Sequence, residues 1–440
     1  MTGDAVISVD ASMLRRTIAA TAVGNMMEWF DFGIFSYLAV PLGEVFFPNA
    51  GGPVQLISTF ATFSAAFVVR PLGGFFFGPL GDRIGRKRVL ATTIIMMAVG
   101  TFCIGLVPSY ATIGIGAPLL LLLARLVQGF STGGEYGSAM TFIAEHAPDR
   151  RRGHLTSWLE FGTLAGIVLG ALLVAALTAV LSHRELISWG WRIPFLVTAP
   201  LGLAGLYLRL RLAETPVFER LERPEPGVRA EFRRIFVQER RSLVVCVGLV
   251  LAWNVGSYML PAYLPSYLSA DAGLPRITAL LAVAAALVVL MTLVAVTGRL
   301  SDRVGRRPVL MAGCLLMAAG GVPAFLLIRT GALGPVFAGC LLVGLMLLCF
   351  EGAGPATLPA LFPTEIRAGA LSVAFNIGVS LFGGTTPLIV QSLVHATGSL
   401  LVPGFYLAAA GVIGAVAVAF TPETAGRPLP GSAPAVTAGR

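Results

Sequence analysis

The stretch GPLGDRIGRKR at residues 78–88 recurs, with few changes, as GRLSDRVGRR at residues 298–307. In each copy an acid, Asp82 or Asp302, precedes a glycine and a run of basic residues. The two acids lie 220 residues apart in a chain of 440 residues. This spacing indicates an internal duplication, in which each half of the chain carries one copy of the motif.

Two more pairs of motifs support the duplication. PDRRRG, which contains Arg152, resembles PTEIRAG, which contains Arg367, and LAETP around Glu214 resembles TPETA around Glu423. The residues of these pairs lie 215 and 209 positions apart. Three similar offsets in the same order predict a repeated unit whose two copies have the same orientation.

The composition indicates the class of protein. Hydrophobic residues make up 56% of the chain, charged residues only 12%, and the mean hydropathy is +0.83. Soluble globular proteins carry about 25% charged residues. Apolar runs of about 20 residues, the length of a membrane-spanning helix, recur along the chain. We therefore expect a polytopic membrane protein, whose net charge of +9 reflects basic loops rather than a nucleic-acid partner.

The apolar runs predict an all-α membrane protein with about twelve transmembrane helices in two pseudo-symmetric six-helix bundles. The approximate spans are 17–41, 54–80, 89–108, 117–144, 155–181, 191–210, 242–268, 276–299, 309–328, 333–360, 369–394 and 401–420. The predicted divisions are an N-terminal bundle at 1–210, a cytoplasmic linker at 211–241, a C-terminal bundle at 242–421 and a cytoplasmic tail at 422–440.

The charge of the short loops predicts the orientation of the chain. The loops after spans two, four and eight are rich in Arg and Lys, whereas the loop at 42–53 carries only Glu44 and the loop at 109–116 is uncharged. Basic loops remain in the cytoplasm. We expect a multi-pass protein embedded in the lipid bilayer of the cell (inner) membrane, with both termini cytoplasmic.

The acid–glycine–base motif, present in both halves, is similar to the signature of the major facilitator superfamily, and RLVQG at 125–129 resembles that superfamily's second motif. Longer stretches resemble its metabolite–proton symporter branch and, within that branch, most of all the proline/glycine-betaine transporters. They are GNMMEWFDFGIF, RPLGGFFFGPLGDRIGRKR, TFCIGLVPSYATIGIGAPLLLL, QGFSTGGEYGSA, SWLEFGTLAGIVLG and WGWRIPF. The resemblance runs from about residue 20 to about residue 430. It implies two bundles that rock around a central site.

One departure from that branch concerns regulation. The best-known osmosensing member carries a long C-terminal coiled coil. Here the last residues are rich in Pro, Ala and Gly and show no heptad pattern. Osmosensing by a coiled coil is therefore not expected.

Two acids lie near the middle of span one. Asn25, Glu28 and Phe32 share one helical face, and Glu28 and Asp31 are neighbours at i,i+3. Glu28 lies about 16 Å into the span, close to the membrane midplane. A carboxyl group that is desolvated beside a like charge can hold a proton near neutral pH. We predict that Glu28 and Asp31 carry the coupling proton, with no choice between them; a purely structural hydrogen bond to another span is the alternative.

Span four presents a polar stripe made of Arg125, Gln128, Thr132 and Glu135, spaced three or four residues apart. Arg125 lies about 12 Å from the outer end of the span. It could hold a substrate carboxylate or pair with an acid of span one. Glu135 lies nearer the cytoplasm and is assigned to gating.

The other substrate-binding candidates are mainly aromatic and amide side chains within the spans. A quaternary ammonium group has no N–H to donate, so aromatic faces are the groups that hold it. The predicted substrate-binding set is Asn25, Trp29, Phe32, Arg125, Gln128, Trp158, Glu160, Trp253, Asn254, Tyr258 and Asn376.

The repeated loop motifs are predicted to gate the transporter. Asp82 and Asp302 can accept hydrogen bonds from the start of a neighbouring helix or pair with loop arginines. Such contacts would hold the cytoplasmic side closed and would break when it opens. The predicted gating set is Asp82, Arg83, Arg86, Glu135, Glu145, Arg152, Asp302, Arg303, Arg306 and Arg367.

Three functions compete. The first is a monomeric symporter that couples a small zwitterion, such as proline or glycine betaine, to protons, with no cofactor beyond the proton gradient. The alternative is a proton symporter of a di- or tricarboxylate such as 2-oxoglutarate or citrate. That site would need two cations at mid-depth, but Arg125 is the one clear candidate, since Arg70 and Arg192 are expected nearer span ends.

The third function is a membrane-embedded sensor or enzyme. It would need a soluble signalling domain or a catalytic cluster, and the sequence shows neither. The five cysteines and four histidines have no metal-ligand spacing, so no metal site is expected. The sequence therefore predicts a transporter and not an enzyme.

Overall fold

The structure is a computed structural model that describes residues 7–9, 11–84, 86–210, 233–432 and 434–437. Helices occupy all twelve predicted spans, and we keep the span numbers for them. Spans one to six are Ala11–Tyr37 with Ala39–Phe46, Gly52–Val68 with Arg70–Ile84, Arg86–Leu106, Gly116–Thr132 with Glu135–His146, Arg152–Val180, and Arg192–Leu210.

The second half of the chain repeats this pattern. Spans seven to twelve are Arg240–Tyr258 with Met259–Tyr263 and Leu264–Ala270, Arg276–Val304, Arg306–Ile328, Leu333–Thr357, Arg367–Gly378 with Val379–Gly383 and Thr386–Thr397, and Val402–Ala419. Short helical connections join them at Tyr110–Ile113, Asp149–Arg151, His183–Glu185, Leu186–Gly190, Arg234–Gln238 and Pro359–Leu361.

Eight of these helical segments in the described chain are long and apolar enough to cross a membrane, and they include all of spans seven to twelve. Spans three and six contribute the shorter apolar helices Ile95–Leu106 and Arg192–Leu203. Spans one and four carry the mid-span acids and Arg125. The predicted all-α membrane fold is therefore confirmed. Of the linker predicted at 211–241, residues 211–232 lie outside the described part of the structure.

The two halves of the chain touch along two pairs of spans that correspond in the duplication. Span five crosses span eight at Gly153 and Gly298, where a Cβ on either residue would lie within 2.7 Å of the other's carbonyl oxygen. Span two meets span eleven, where Ser64 Oγ donates to the Gly384 carbonyl at 2.8 Å. Spans two and eight, like spans five and eleven, hold the same place in each repeat. The contact surface therefore has the approximate symmetry that the repeats predict.

Several spans are interrupted near their middle. Span two turns at Val69, span four at Gly133, and spans seven and eleven each contain a π-helical turn, at Met259–Tyr263 and Val379–Gly383. Such interruptions change the direction in which the following side chains point, and they often occur at functional sites. The turn at Val69 places Arg70 well inside span two, about 27 Å from its first residue.

The two ends of the chain meet at one end of the bundle. Residues 7–9 pair in parallel with residues 435–437, with Ile7 opposite Ala435. The C-terminal segment also contacts both halves: Arg152 donates to the Arg427 carbonyl at 3.0 Å, and Arg367 donates to the Pro430 carbonyl at 2.6 Å. We call this end, which carries residues 145–154 and 302–307, the basic end.

Close packing of spans two and four gives a first prediction. A Cβ at Gly129 would lie 1.8 Å from the Ala66 carbonyl oxygen, so neither backbone can accommodate it without moving. We expect Gly129→Ala to destabilise the protein by at least the roughly 1–3 kcal/mol typical of overpacking. Gly334→Ala is the matched control, because Gly334 also lies in a helix and a Cβ there meets nothing within 4 Å. Thermal unfolding in detergent should separate the two variants; equal midpoints would contradict the packing.

Candidate functional site

A buried ion pair joins spans one and two at the centre of the N-terminal half. Arg70 Nη2 lies 3.2 Å from Glu28 Oε1, and the two side chains are only 2% and 1% exposed. The expectation that Arg70 lies near a span end is therefore wrong, because the turn at Val69 and the length of span two bring it to mid-depth. Within the described residues, the N-terminal half thus holds two buried arginines at mid-depth, Arg70 and Arg125.

Asp31 belongs to a separate polar chain that links spans one, three and four. The Thr101 hydroxyl lies 3.1 Å from Asp31 Oδ2 and accepts a hydrogen bond from Gln128 Nε2 at 2.9 Å. Gln128 Oε1 in turn accepts a hydrogen bond from Arg125 Nη1. Asp31 and Arg125 are thereby connected through two neutral side chains. A change of charge on Asp31 would alter the hydrogen bonds of this chain as far as Arg125.

Aromatic rings surround the Arg125 guanidinium, whose side chain is fully buried. Its central carbon lies 4.3 Å from the ring centre of Phe35, 5.1 Å from that of Phe63 and 5.4 Å from that of Phe32. Cation–π contacts of this kind stabilise a desolvated arginine. Direct pairing with an acid of span one, the alternative raised for Arg125, is found instead at Arg70.

A small cavity lies between the two halves. Its volume is about 10 Å³, which is room for about one water molecule. The cavity is lined by Trp29, Tyr136, Glu160, Thr163, Leu164 and Ile167 of the first half and by Trp253, Asn254, Ser257, Pro261, Leu287, Leu347, Glu351 and Phe375 of the second. Four residues of the predicted substrate-binding set line it: Trp29, Glu160, Trp253 and Asn254.

Two carboxyl groups face each other across this cavity. Glu160 of span five accepts a hydrogen bond from the Tyr136 hydroxyl. Glu351 of span ten accepts hydrogen bonds from Trp253 Nε1 at 3.1 Å and from the Ser257 hydroxyl at 3.2 Å. Both acids are almost fully buried. The cavity therefore has an acidic wall to which each half of the chain contributes one residue.

Sequence reasoning missed Glu351, Tyr136 and the role of Arg70. Glu351 carries the same signal that selected Glu28, since it is an acid within an apolar run, LLCFEGAG. Tyr136 stands beside Glu135 in the polar stripe of span four. The signal for Arg70 was its place in RPLGG, where glycine and proline mark an irregular helix.

Other members of the predicted substrate-binding set lie outside the cavity lining. Asn25 Nδ2 donates to the Leu159 carbonyl at 3.1 Å and so joins spans one and five. Asn376 donates to the Gly133 carbonyl and joins span eleven to the break in span four. Trp158 is partly exposed and packs on Phe161 with ring centres 5.1 Å apart. Asn25 and Asn376 thus connect neighbouring spans, and Trp158 packs within its own span; none of the three lines the cavity.

Phe32 and Tyr258 connect the cavity to the buried arginines. The Tyr258 ring centre lies 5.7 Å from that of Trp29 and 5.2 Å from that of Phe67. The Phe32 ring centre lies 6.2 Å from that of Trp29, and Phe32 is also one of the rings around Arg125. An aromatic layer therefore separates the cavity from Arg125.

At the basic end, Asp302 caps the helix of span five. Its two carboxylate oxygens accept hydrogen bonds from the backbone N–H groups of Gly153 and His154, at 2.8 and 2.9 Å. This is the helix-start contact that the sequence predicts for Asp302, and it connects the two halves. Arg306 lies 3.6 Å from the same carboxylate. The side chains of Asp82, Arg83 and Arg86, predicted to act in the same way, lie outside the described part of the structure.

A second contact between the halves at the basic end is an ion pair. Arg367 Nη1 of span eleven lies 2.7 Å from Glu145 Oε1 of span four. Arg152 pairs with Asp149 and donates to the Ala144 carbonyl at 2.9 Å. Of the remaining predicted gating residues, Arg303 is exposed and Glu135 is buried. Asp302 and Arg367 thus each make a contact that crosses between the halves at the basic end.

Glu423 caps span nine just beyond the last span. Its carboxylate accepts hydrogen bonds from the N–H groups of Arg306 at 3.0 Å, Arg307 at 3.1 Å, and Thr424 and Ala425 at 2.9 Å. Burial by itself would raise the pKa of Glu423, but the four donated hydrogen bonds hold the pKa below its usual range. The carboxylate stays charged at the start of the helix, where a negative charge is favourable.

The Glu28–Arg70 pair gives a second prediction. Removing one partner of a buried ion pair leaves an uncompensated charge and costs about 3–5 kcal/mol, whereas removing both can be nearly neutral. We expect Arg70→Gln to lower the midpoint of thermal unfolding strongly, and Arg70→Gln combined with Glu28→Gln to restore most of the loss. Unfolding of both single variants and the double variant in detergent measures the coupling. Additive effects of the two substitutions would show that the pair is not an energetic unit.

Comparisons with known proteins agree with this architecture. The family described as "Sugar (and other) transporter" matches residues 17–234 and again residues 219–433, once for each half of the chain. Among solved structures, the proton:xylose symporter XylE bound to 6-bromo-6-deoxy-D-glucose superposes with a TM-score of 0.75. It is 19% identical in sequence, and the match covers 96% of this chain and 98% of that one. This likeness shows the fold.

Relatives of higher identity exist in bacteria. The proline/betaine transporter of Salmonella typhimurium is 47% identical, over 99% of this chain and 88% of its own length. The glycine betaine/proline/ectoine/pipecolic acid transporter of Dickeya dadantii is 48% identical over the same shares of the two chains. The resemblance inferred from the motifs is thereby confirmed, and this chain belongs to the sugar (and other) transporter family of the major facilitator superfamily, in the branch that contains the proline/betaine transporters.

Proposed function

We propose that this protein is a proton-coupled symporter of a small zwitterion, such as glycine betaine or proline, which works by alternating access. The observation that carries the proposal is the central cavity, whose wall combines two carboxyl groups with the rings of Trp29, Trp253 and Phe375. A substrate ammonium group fits such a wall, because carboxylates and aromatic faces both attract cations. A di- or tricarboxylate would be repelled by Glu160 and Glu351.

The buried cations suit the other end of a zwitterion. Arg70 is held by Glu28 in the present structure, and Arg125 by Gln128 and three rings. If Glu28 takes up a proton, the charge of Arg70 is no longer neutralised and becomes available to a substrate carboxylate. Proton binding would then favour substrate binding, which is the coupling that a symporter requires.

The closed cavity fits an alternating-access cycle. Contacts cross between the halves at the basic end, through Asp302 and the Arg367–Glu145 pair, and at the opposite end, where Arg276 donates to the Tyr37 carbonyl at 2.9 Å. Opening either end requires one of these sets to break. We propose that the protein acts as a monomer in the inner membrane, surrounded by lipid, with both termini cytoplasmic and the proton gradient as its energy source.

Uptake by proteoliposomes tests the function. Labelled glycine betaine, proline, citrate and 2-oxoglutarate should be compared under an imposed pH gradient, with and without an uncoupler. We expect accumulation of betaine or proline that the uncoupler abolishes. Glu28→Gln or Asp31→Asn should lose accumulation while keeping exchange of substrate. Stronger uptake of the carboxylates, or normal accumulation by both amide variants, would contradict the proposal or its coupling site.

The aromatic wall gives a separate prediction. A desolvated cation–π contact is worth about 2 kcal/mol, so Trp29→Ala or Trp253→Ala should weaken betaine binding roughly 30-fold. Trp189→Ala is the matched control, because Trp189 is 47% exposed and does not line the cavity. Affinities from competition for betaine uptake measure the effect. Unchanged affinity in both cavity variants would remove the rings from the site.

A further inference from the structure

Glu160 and Glu351 belong to different halves of the chain, but both line the same cavity, which has room for about one water, and they interact with each other there. Two ionised carboxylates have no hydrogen to share and repel each other, so a hydrogen bond between carboxyl groups requires a proton on one of them. The pair then carries a single negative charge.

The surroundings stabilise that single charge. Tyr136 of span four donates to Glu160, while Trp253 and Ser257 of span seven donate to Glu351. The wall of the cavity around the pair also includes Thr163 of span five, the apolar Leu287 of span eight and Phe375 of span eleven. A further titratable group in the neighbourhood is Glu28 of span one, which acts on Tyr136 and is itself paired with Arg70. Among the described residues, no Arg or Lys side chain acts on Glu160 or Glu351.

A second observation points to a ligand in the same cavity. Trp29 lines it and is 7% exposed, and its indole N–H has no hydrogen-bond acceptor among the described residues. A buried donor without an acceptor costs about 1–3 kcal/mol. A ligand with an acceptor oxygen and a positive charge could accept the hydrogen bond of the Trp29 indole and balance the negative charge of Glu160 and Glu351. Zwitterions with an ammonium group and a carboxylate have this chemistry.

We propose that Glu160 and Glu351 share one proton, that the resulting hydrogen bond closes the empty cavity between the halves, and that the ammonium group of a substrate takes the place of this bond. The inference rests on the proposed function and adds the cation subsite and the closure of the empty carrier. No bond is broken other than this hydrogen bond. The shared proton stays with the pair, whose one negative charge then faces the substrate cation.

The proposal separates two modes of transport. Net efflux requires the empty carrier to close and return, whereas exchange of substrate for substrate does not. Loss of the shared proton leaves two repelling carboxylates, so alkaline pH should slow net efflux more than exchange. Above the pH at which the proton leaves, we expect the ratio of efflux to exchange to fall about tenfold per pH unit.

Amide variants provide the decisive comparison. In Glu351→Gln or Glu160→Gln, the amide N–H donates to the remaining carboxylate at every pH, so the closed state no longer needs a proton. Efflux and exchange of labelled glycine betaine from proteoliposomes, at equal pH on both sides from about pH 6 to about pH 9, give the ratio. We expect the ratio to fall at alkaline pH in the wild type but not in the two amide variants. Glu44→Gln, which alters an acid that contacts His183 outside the cavity, should behave as wild type.

Two outcomes overturn the proposal. One is the same alkaline fall of the ratio in the wild type and in both amide variants; the other is the absence of that fall in the wild type. Thermal unfolding of each variant checks that it is folded. Infrared spectroscopy gives a readout that needs no transport: the band of a protonated carboxyl should be lost in either amide variant and should shift on addition of betaine. If the wild type transports neither betaine nor proline, the proposed function fails, while the presence or absence of this band still decides whether the proton is shared.

Discussion

A charge inside a membrane protein must be neutralised where it stands, and this requirement organises the centre of the molecule. Glu28 is matched by Arg70 at 3.2 Å, and Arg125 is surrounded by aromatic rings. The cost of an unmatched charge at this depth is at least about 2.5–3.5 kcal/mol. The positions of spans one to four relative to one another are therefore constrained by these few polar contacts as well as by packing.

The same requirement explains how buried charges can bind a ligand. A charged group whose charge is balanced by its partner becomes a strong binding site when the partner changes its protonation state. Glu28 and Asp31 are connected to different cations, Glu28 by direct contact with Arg70 and Asp31 to Arg125 through Thr101 and Gln128. Two acids on one helical turn can thus have separate tasks, although the sequence alone offers no basis for choosing between them.

Much of the fold could be predicted because it follows from composition and repetition. Apolar runs gave the spans, and the motifs around Asp82 and Asp302 indicated the duplication and anticipated the helix-capping contact of Asp302. The site was predicted in part. Trp253 and Trp158 are both aromatic residues within apolar spans, but one lines the cavity and the other packs on Phe161. When a span is apolar on all sides, periodicity does not tell which face points inward.

Arg70 and Glu351 show two further limits of prediction from sequence. The position of Arg70 depends on a turn at Val69 and on a helix that continues beyond the apolar run. Glu351 carried the same signal as Glu28, but the importance of an acid depends on what another span places opposite it. Here that group is Glu160, 191 residues earlier in the chain. Contacts of this kind are set by tertiary packing.

The short parallel pairing of residues 7–9 with residues 435–437 limits the number of times that the chain can cross the membrane. Hydrogen-bonded strands lie less than 5 Å apart, so both must be on the same side of a bilayer whose apolar core is about 30 Å thick. A chain whose two ends lie on one side crosses the membrane an even number of times. This parity argument uses neither hydropathy nor loop charge, and it excludes eleven or thirteen crossings on geometry alone.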